Sequence, residues 1–215
     1  VLKVITEETI IKANGEKIVN RSEKVTTGEG DPSTDPSPFS DLPTLSGFQD
    51  SERQNNPPPK PQNMSEFREE CLKAHNSARA KHGVPELTLA DDLNEHAQNW
   101  ADELVTKNMF QHSACMIGDN TVGENIANSW SSAPGGADYT GQAVVDQWYS
   151  EIKKHDFNSD GAMGSGHFTQ VVWKGSRELG VGKAKDGKGK VIVVANYRPA
   201  GNMIGTYREN VFPPK

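Results

Sequence analysis

An imidazole interrupts an apolar, aromatic run in the stretch Gly166-His167-Phe168-Thr169-Gln170-Val171-Val172-Trp173, close behind Gly164. A segment that only builds a core has no packing need for a histidine there. His167 therefore calls for a chemical explanation, as a metal ligand or a proton carrier. Five further histidines raise the same question: His75, His82, His96, His112 and His155. His75 and His82 fall seven apart on a predicted helix and read as helix-surface or capping residues. His155 falls in a charged run that reads as exposed. His96 follows Glu95, but the chain contains no His-Glu-x-x-His zinc signature.

Nucleophiles are harder to find. Met163-Gly164-Ser165-Gly166 places Met where the Gly-x-Ser-x-Gly elbow needs glycine. Neither Cys71 nor Cys115 sits in a catalytic signature; Cys115 is near His112 in sequence, but a spacing of three in an irregular segment carries little. Asp156-Phe157-Asn158-Ser159-Asp160-Gly161 matches the first half of an EF-hand loop. Its twelfth position is His167, where a bidentate Glu is required, so it reads as an Asx-rich turn, with weak calcium binding the minor alternative. The run from Gly182 to Gly189 approaches a phosphate loop, yet it ends in glycine rather than Ser or Thr and lies between two predicted strands. It is expected to be a hairpin turn. Its Lys183, Lys185, Lys188 and Lys190 form a basic tip, either simply solvated or set to touch acidic headgroups.

The elements that must position these residues follow from composition and period. The chain has 215 residues, 33% of them hydrophobic, which suits one domain with an appendage. A net charge of −6 with no basic stripe argues against nucleic acid as a partner. No apolar run reaches the roughly 18 residues of a membrane-crossing helix, and the opening Val-Leu-Lys-Val-Ile-Thr-Glu-Glu has no leader-like apolar core. Two cysteines are few for a secreted domain and favour a reducing compartment; one bridge between them is the other option. The sequons at Asn20 and Asn63 would matter only in a secreted chain.

Residues 1–62 hold eight of the thirteen prolines and no Trp, His or Cys, so they cannot bury enough apolar area to offset chain entropy and are expected to be a disordered tail. Within them Asn14-Gly15 signals a hairpin between β-branched runs, marginal if isolated. Pro57 to Pro61 should be a stiff polyproline spacer. A folded domain over 63–215 is predicted, its first helix starting at Ser65 with Glu66 and Glu69 and stopping at Gly83. A second helix follows Thr88, with Asp91 completing a capping box. Its Leu93, Ala97, Trp100, Ala101 and Leu104 make one stripe. A third carries Val144, Trp148 and Ile152. Leu179 to Gly182 and Val191 to Ala195 read as paired strands around the lysine turn. The class is α+β.

Four segments carry a family resemblance: Gly123-Glu124-Asn125-Ile126-Ala127, Gln147-Trp148-Tyr149-Ser150-Glu151, the His167 run, and Ala195-Asn196-Tyr197-Arg198-Pro199. Together they resemble the CAP family of cysteine-rich secretory, antigen 5 and pathogenesis-related proteins, from about Ser65 to Pro214. His75-Asn76-Ser77-Ala78-Arg79 also matches the family's opening motif, where the role looks structural. The resemblance implies a three-layer α-β-α sandwich and the convergence of His112, Glu124, Glu151 and His167 as a metal site. Two carboxylates in one cleft would need a cation, a shared proton or flanking imidazolium. Two imidazoles with open positions imply weak Zn2+ binding, the rival being a hydrogen-bonded polar cluster without metal. Secreted members place Cys where this chain has Ala195. That departure points to the intracellular branch typified by the Golgi-associated plant pathogenesis-related protein. The resemblance thus implies a non-enzymatic protein at endomembranes, with membrane lipids or sterols and a homo-oligomer as partners. A metal-dependent hydrolase using the tetrad, and an oligomeric scaffold recruiting through the prolines, are the alternatives.

Overall fold

The run Val191-Ile192-Val193-Val194-Ala195 offers no polar group to solvent, and every one of its side chains is fully buried at the centre of a sheet. In a computed structural model, residues 2–11, 17–26 and 63–215 are described, with the side chains of the first two segments given for Lys3, Ile5, Val19, Arg21 and residues 23–26. In chain order the elements are β1 (Leu2–Ile11), β2 (Lys17–Thr26), α1 (Met64–Lys81), β3 (Thr88–Leu89), α2 (Asp91–Thr106), β4 (Met116–Ile117), β5 (Asn120–Thr121), β6 (Gly123–Ser131), α3 (Gly141–Tyr149), α4 (Gly166–Val171), β7 (Glu178–Lys185), β8 (Lys190–Arg198) and α5 (Tyr207–Asn210). A 3-10 turn, Ser150–Lys154, continues α3. The main sheet runs β2-β1-β6-β8-β7-β3, antiparallel except for β3 on β7.

Period two on β8 divides the core between two faces. Val191, Val193, Ala195 and Tyr197 pack with Phe67, Cys71 and Ala74 of α1 and with Val144 and Trp148 of α3. Ile192 and Val194 pack with Ala97, Ala101 and Leu104 of α2. This is the three-layer α-β-α sandwich, and the α2 stripe read from the sequence is its inward face. Trp100 of that stripe is only half-buried, its indole donating to the Gln111 carbonyl at 3.1 Å.

Helix α2 lies so close on β7 that only glycine fits beneath it. A Cβ on Gly180 would sit 2.1 Å from the Leu93 carbonyl carbon, and one on Gly182 would sit 2.4 Å from the Gln98 Cα. The close approach lets α2 serve the strand's backbone. Asn94 Oδ1 accepts from Val181 N at 2.9 Å, and Gln98 Oε1 accepts from Lys183 N at 3.1 Å. Gln98 Nε2 donates back to the Lys183 carbonyl at 3.0 Å. The strand edge that two-residue β3 leaves open is thereby satisfied by side chains.

Three local expectations change. The cap of α1 is Asn63, whose Oδ1 accepts from Glu66 N at 2.8 Å, so the helix begins before Ser65. Thr88 belongs to β3 and caps nothing; α2 starts from Ala90 with no side-chain cap. Inside the stretch 1–62 read as a tail, β1 and β2 pair antiparallel from Leu2↔Thr26 to Ile11↔Lys17, while Asn14-Gly15 falls outside the described residues. The strand pair is not isolated, because β1 also pairs with β6 from Leu2↔Ser131 to Glu8↔Asn125. The polyproline spacer falls outside the described residues.

Two stability measurements test this packing. Gly182→Ala should destabilise by about 3 kcal/mol or more, since backbone of α2 has to move, and the midpoint of chemical denaturation reads it. His75 is fully buried and, with desolvation as the main cause, its pKa is pushed down from 6.5 to about 4. The unfolded chain therefore takes the proton first. Stability present above pH 6.5 is lost as pH falls towards 4, by about 3 kcal/mol from this group. A stability profile that stays flat between those values would contradict the burial of a neutral imidazole.

Candidate functional site

Glu124, the second residue of β6, is a carboxylate in the interior at 3% exposure. Such a group must be paired or surrounded by donors. Four reach it. His112 Nδ1 and Ser113 N both donate to Oε1 at 2.8 Å, while Ser113 Oγ and Asn196 Nδ2 donate to Oε2 at 2.7 and 3.1 Å. Asn196 is the residue opposite Glu124 on β8, so strand register delivers that donor. Burial alone would raise the carboxyl, but the hydrogen bond and charge of His112, with the two Ser113 donors, outweigh it and hold the pKa below the usual range. An ionised carboxylate only accepts, so His112 Nδ1 is the donor to it, and Nε2 is the ring nitrogen left over. That Nε2 is buried and has no hydrogen-bond partner.

His167 is built the same way from other elements. All six residues of α4 are buried, and Glu151 of the 3-10 turn sits at its start. His167 Nδ1 meets Glu151 Oε1 at 2.9 Å, and the backbone amides of His167 and Phe168 donate to Oε2 at 3.1 and 3.4 Å. Trp148 stacks on the imidazole, with ring centroids 6.4 Å apart and planes 7° from parallel. Asn125, next to Glu124 on β6, donates to the His167 carbonyl at 3.1 Å and ties α4 to the strand that carries the first pair.

The four residues expected to converge are thus gathered as two carboxylate–imidazole pairs. Among the described residues, one group of three or more His, Cys, Asp or Glu side chains has donor atoms all within 4.8 Å of each other, and it is His112, Cys115 and Glu124. Cys115 is the residue that sequence spacing passed over. It is brought in because the segment after α2 turns back on itself, with Cys115 at φ 54 and its amide donating to Ser113 Oγ at 2.9 Å. Ser113 and Asn196 were also passed over, although each adjoins or lies within a motif. Neither Cys71 nor Cys115 is in a disulfide; both are buried.

The remaining candidates resolve into structure. His75 and His82 do not lie on the helix surface: both are fully buried. His75 Nδ1 donates to the Cys71 carbonyl and Nε2 accepts from Tyr197 OH, each at 2.8 Å. His82, the C-cap of α1, donates to the Phe212 carbonyl at 2.6 Å and accepts from Tyr149 OH at 2.9 Å. His155 is half-buried against Phe157 and Phe168, because Ser165 Oγ partners its Nδ1 at 2.9 Å. Asp156 Oδ1 accepts from Asn158 N at 2.9 Å in an Asx turn, and Asp160 pairs with Arg208 through Nε at 3.0 Å and Nη2 at 2.6 Å. At the lysine turn, Asp138 takes both Lys183 at 3.0 Å and Lys185 at 3.3 Å. Lys183 Nζ also donates to the Tyr139 carbonyl at 2.9 Å and lies 4.2 Å from the Phe67 ring centroid. These two cations are engaged within the protein.

The model of the cysteine-rich secretory protein family, CAP, matches residues 72–197. The chain is 46% identical over 153 residues to human Golgi-associated plant pathogenesis-related protein 1, covering 70% of this chain and 95% of that protein. It is 33% identical to pathogenesis-related leaf protein 4 of Solanum lycopersicum, covering 76% of this chain and 90% of the relative. Among solved structures, NaASP2 with Zn2+ superposes with a TM-score of 0.55 at 24% identity, covering 73% of this chain and 90% of its own. At that identity the likeness concerns the fold.

Glu124→Gln keeps the shape of the side chain but turns one acceptor oxygen into a donor facing Ser113 or Asn196. It should cost about 2 kcal/mol, because a buried donor is left opposed by another donor. Glu151→Gln should cost less, since the Glu151 side chain is 13% exposed and water can replace a lost partner. Thermal denaturation of both variants checks the order.

Proposed function

The chain belongs to the CAP, or cysteine-rich secretory protein, family, and we propose that it acts by binding rather than by turnover. In this reading it holds a divalent cation weakly between the His112 and His167 imidazoles and engages lipid at its surface. One observation carries the metal half: each imidazole commits Nδ1 to a carboxylate, His112 to Glu124 at 2.8 Å and His167 to Glu151 at 2.9 Å. Carboxylates in that position orient metal-binding imidazoles and raise their basicity. The buried, unpartnered Nε2 of His112 fits the same role. The glutamates then serve as positioning residues, and Cys115 is a third donor within reach of the first pair. A bound cation would supply Lewis acidity towards a carbonyl or phosphate oxygen of a ligand. Fewer than four strong protein ligands means an open site, consistent with loose binding.

Binding is favoured over hydrolysis by how the glutamates are used. Glu124 already accepts from His112, Ser113 and Asn196, and Glu151 from His167, so each is placed to orient an imidazole and not to take a proton from water. The lipid half draws on the relative named for its Golgi association and on a described chain in which no helix is long and apolar enough to cross a membrane. A peripheral place on an endomembrane fits both.

Zinc titration calorimetry on the full chain tests the metal half. Binding with a Kd on the order of micromolar is expected, lost in His112→Ala/His167→Ala and weakened about tenfold to a hundredfold in Glu124→Gln or Glu151→Gln. A Cys115→Ala arm decides whether the thiolate is a ligand. Heat that survives the double-histidine variant, or no heat in the wild type, would make the four residues a polar cluster without metal.

A further inference from the structure

The N-terminal hairpin makes the sheet wider than its covering helix. Strands β1 and β2 extend the sheet past β6, while α2 ends at Thr106 and is followed by Asn108 in the left-handed region at φ 51. Register lines up the side chains left uncovered. Lys3 lies opposite Trp130, and Trp130 opposite Lys190; in the next row Ile5 lies opposite Asn128. Residues 108–110 close the space from above, with Phe110 under the Arg21 guanidinium at 5.9 Å. The result is a cavity of about 340 Å³ lined by these residues and Met109.

Its chemistry is of two kinds. Ile5, Met109, Phe110 and Trp130 give apolar wall, while Lys3, Arg21 and Lys190 bring positive charge. Lys3 is met by Glu23 at 2.9 Å. Arg21 and Lys190 have no ion-pair partner among the described residues; Lys190 Nζ contacts only the neutral Asn108 Oδ1. Asn128, 6% exposed and opposite Ile5 in register, is a second pointer, because it lines the cavity as well. An amide lining such a cavity can donate to a bound anion. One neutral amide and two cations in no ion pair among the described residues suit an anion, and the walls suit hydrocarbon behind it.

We infer that this cavity binds the anionic head of an amphiphile, a phosphate or carboxylate joined to an apolar chain, between Arg21, Lys190 and Asn128. The inference rests on the lipid half of the reading above and gives it a location; it does not involve the metal pairs. The head would sit between the two cations with Asn128 donating to it, and the first carbons would lie on Phe110 and Trp130. At 340 Å³ the cavity holds a head and a short length of chain, so the rest of a long chain would emerge.

The test uses the full chain and dodecyl phosphate below its micelle concentration, with inorganic phosphate beside it. Wild type should bind dodecyl phosphate, and Arg21→Ala/Lys190→Ala should weaken binding at least about tenfold while leaving the circular dichroism unchanged. Asn128→Leu should also weaken it, separating the amide's part from bulk charge. Equal affinity for inorganic phosphate would overturn the amphiphile and leave a plain anion site. Binding unchanged in the double variant would overturn the site while the lipid reading stands. Sedimentation with phosphatidylcholine vesicles containing phosphatidic acid separates the sources: cosedimentation lost in the double variant places the head in a bilayer. If neither dodecyl phosphate nor vesicles bind, the site and the lipid half fall together.

Discussion

The fold turns on a guanidinium that has no carboxylate. Arg79, on α1, is fully buried, and its donors go to four carbonyls: Nε to Pro85 at 2.7 Å, Nη1 to Val171 at 3.1 Å and Trp173 at 2.9 Å, and Nη2 to Ser176 at 3.0 Å. Desolvation pulls its pKa down to about 10, with the Arg177 charge adding to the effect, yet the group stays cationic at neutral pH. Lysine could not replace it, because a point charge does not present a planar fork to carbonyls on several sides. Three of those carbonyls belong to the end of α4 and the turn after it. Trp173 O also accepts from Ser176 N at 3.2 Å and Ser176 O from Arg177 Nη1 at 3.0 Å, so losing Arg79 would strand the Val171 carbonyl above all, a cost of about 1–3 kcal/mol. The short helix bearing His167 therefore holds its place because α1 supplies the donors that its own C-terminus lacks.

From Arg79 the constraint runs to the two carboxylate–imidazole pairs through neutral groups. His75, one turn earlier on α1, accepts from Tyr197 OH; that oxygen accepts from Asn125, which also donates to the His167 carbonyl. Helix α1, β8, β6 and α4 are thus joined by three side chains and one backbone carbonyl, none of them charged. Burial keeps both ends of this relay neutral, lowering His75 and raising Tyr197 well above its ordinary value. A charge inserted here would be costly, and its absence leaves Glu124 and the imidazoles as the polar features of consequence in the cleft.

What the sequence made legible was whatever depends on neighbours along the chain. The α2 stripe, the β7–β8 hairpin and the Asx turn at Asp156 are set by periods of two, three and four residues, and each lies where it was expected. The family motifs supplied His112, Glu124, Glu151 and His167. What they could not supply was the pairing, because register between β6 and β8 brings Asn196 to Glu124 and a turn brings Cys115 to His112. His75 misled for the same reason, while His82 is a helix cap, one of the two expectations for it, but is buried. A histidine on a helix looks exposed until Tyr197 and Phe212, more than a hundred residues away, provide its partners. The N-terminal hairpin was visible as Asn14-Gly15, but its stability depends on β6, which nothing local announces.

Charge placement then decides which surface of an acidic protein can face an anion. At a net charge of −6 the long-range field repels anionic surfaces, but screening confines that repulsion to about 8 Å at physiological salt. Close contact is governed by local cations that are not already paired. The lysine turn looked like the obvious candidate, yet Asp138 pairs with both Lys183 and Lys185, and Lys183 is held at 9% side-chain exposure against Phe67. Moving that ammonium to a headgroup would break an ion pair and a cation–π contact before gaining anything. Among the described residues Arg21 and Lys190 are in no ion pair with a carboxylate, and Asn128 beside them adds an amide donor. The difference lies in desolvation already incurred: a cation paired at rest must lose its partner to bind, whereas one facing an open cavity need only shed water.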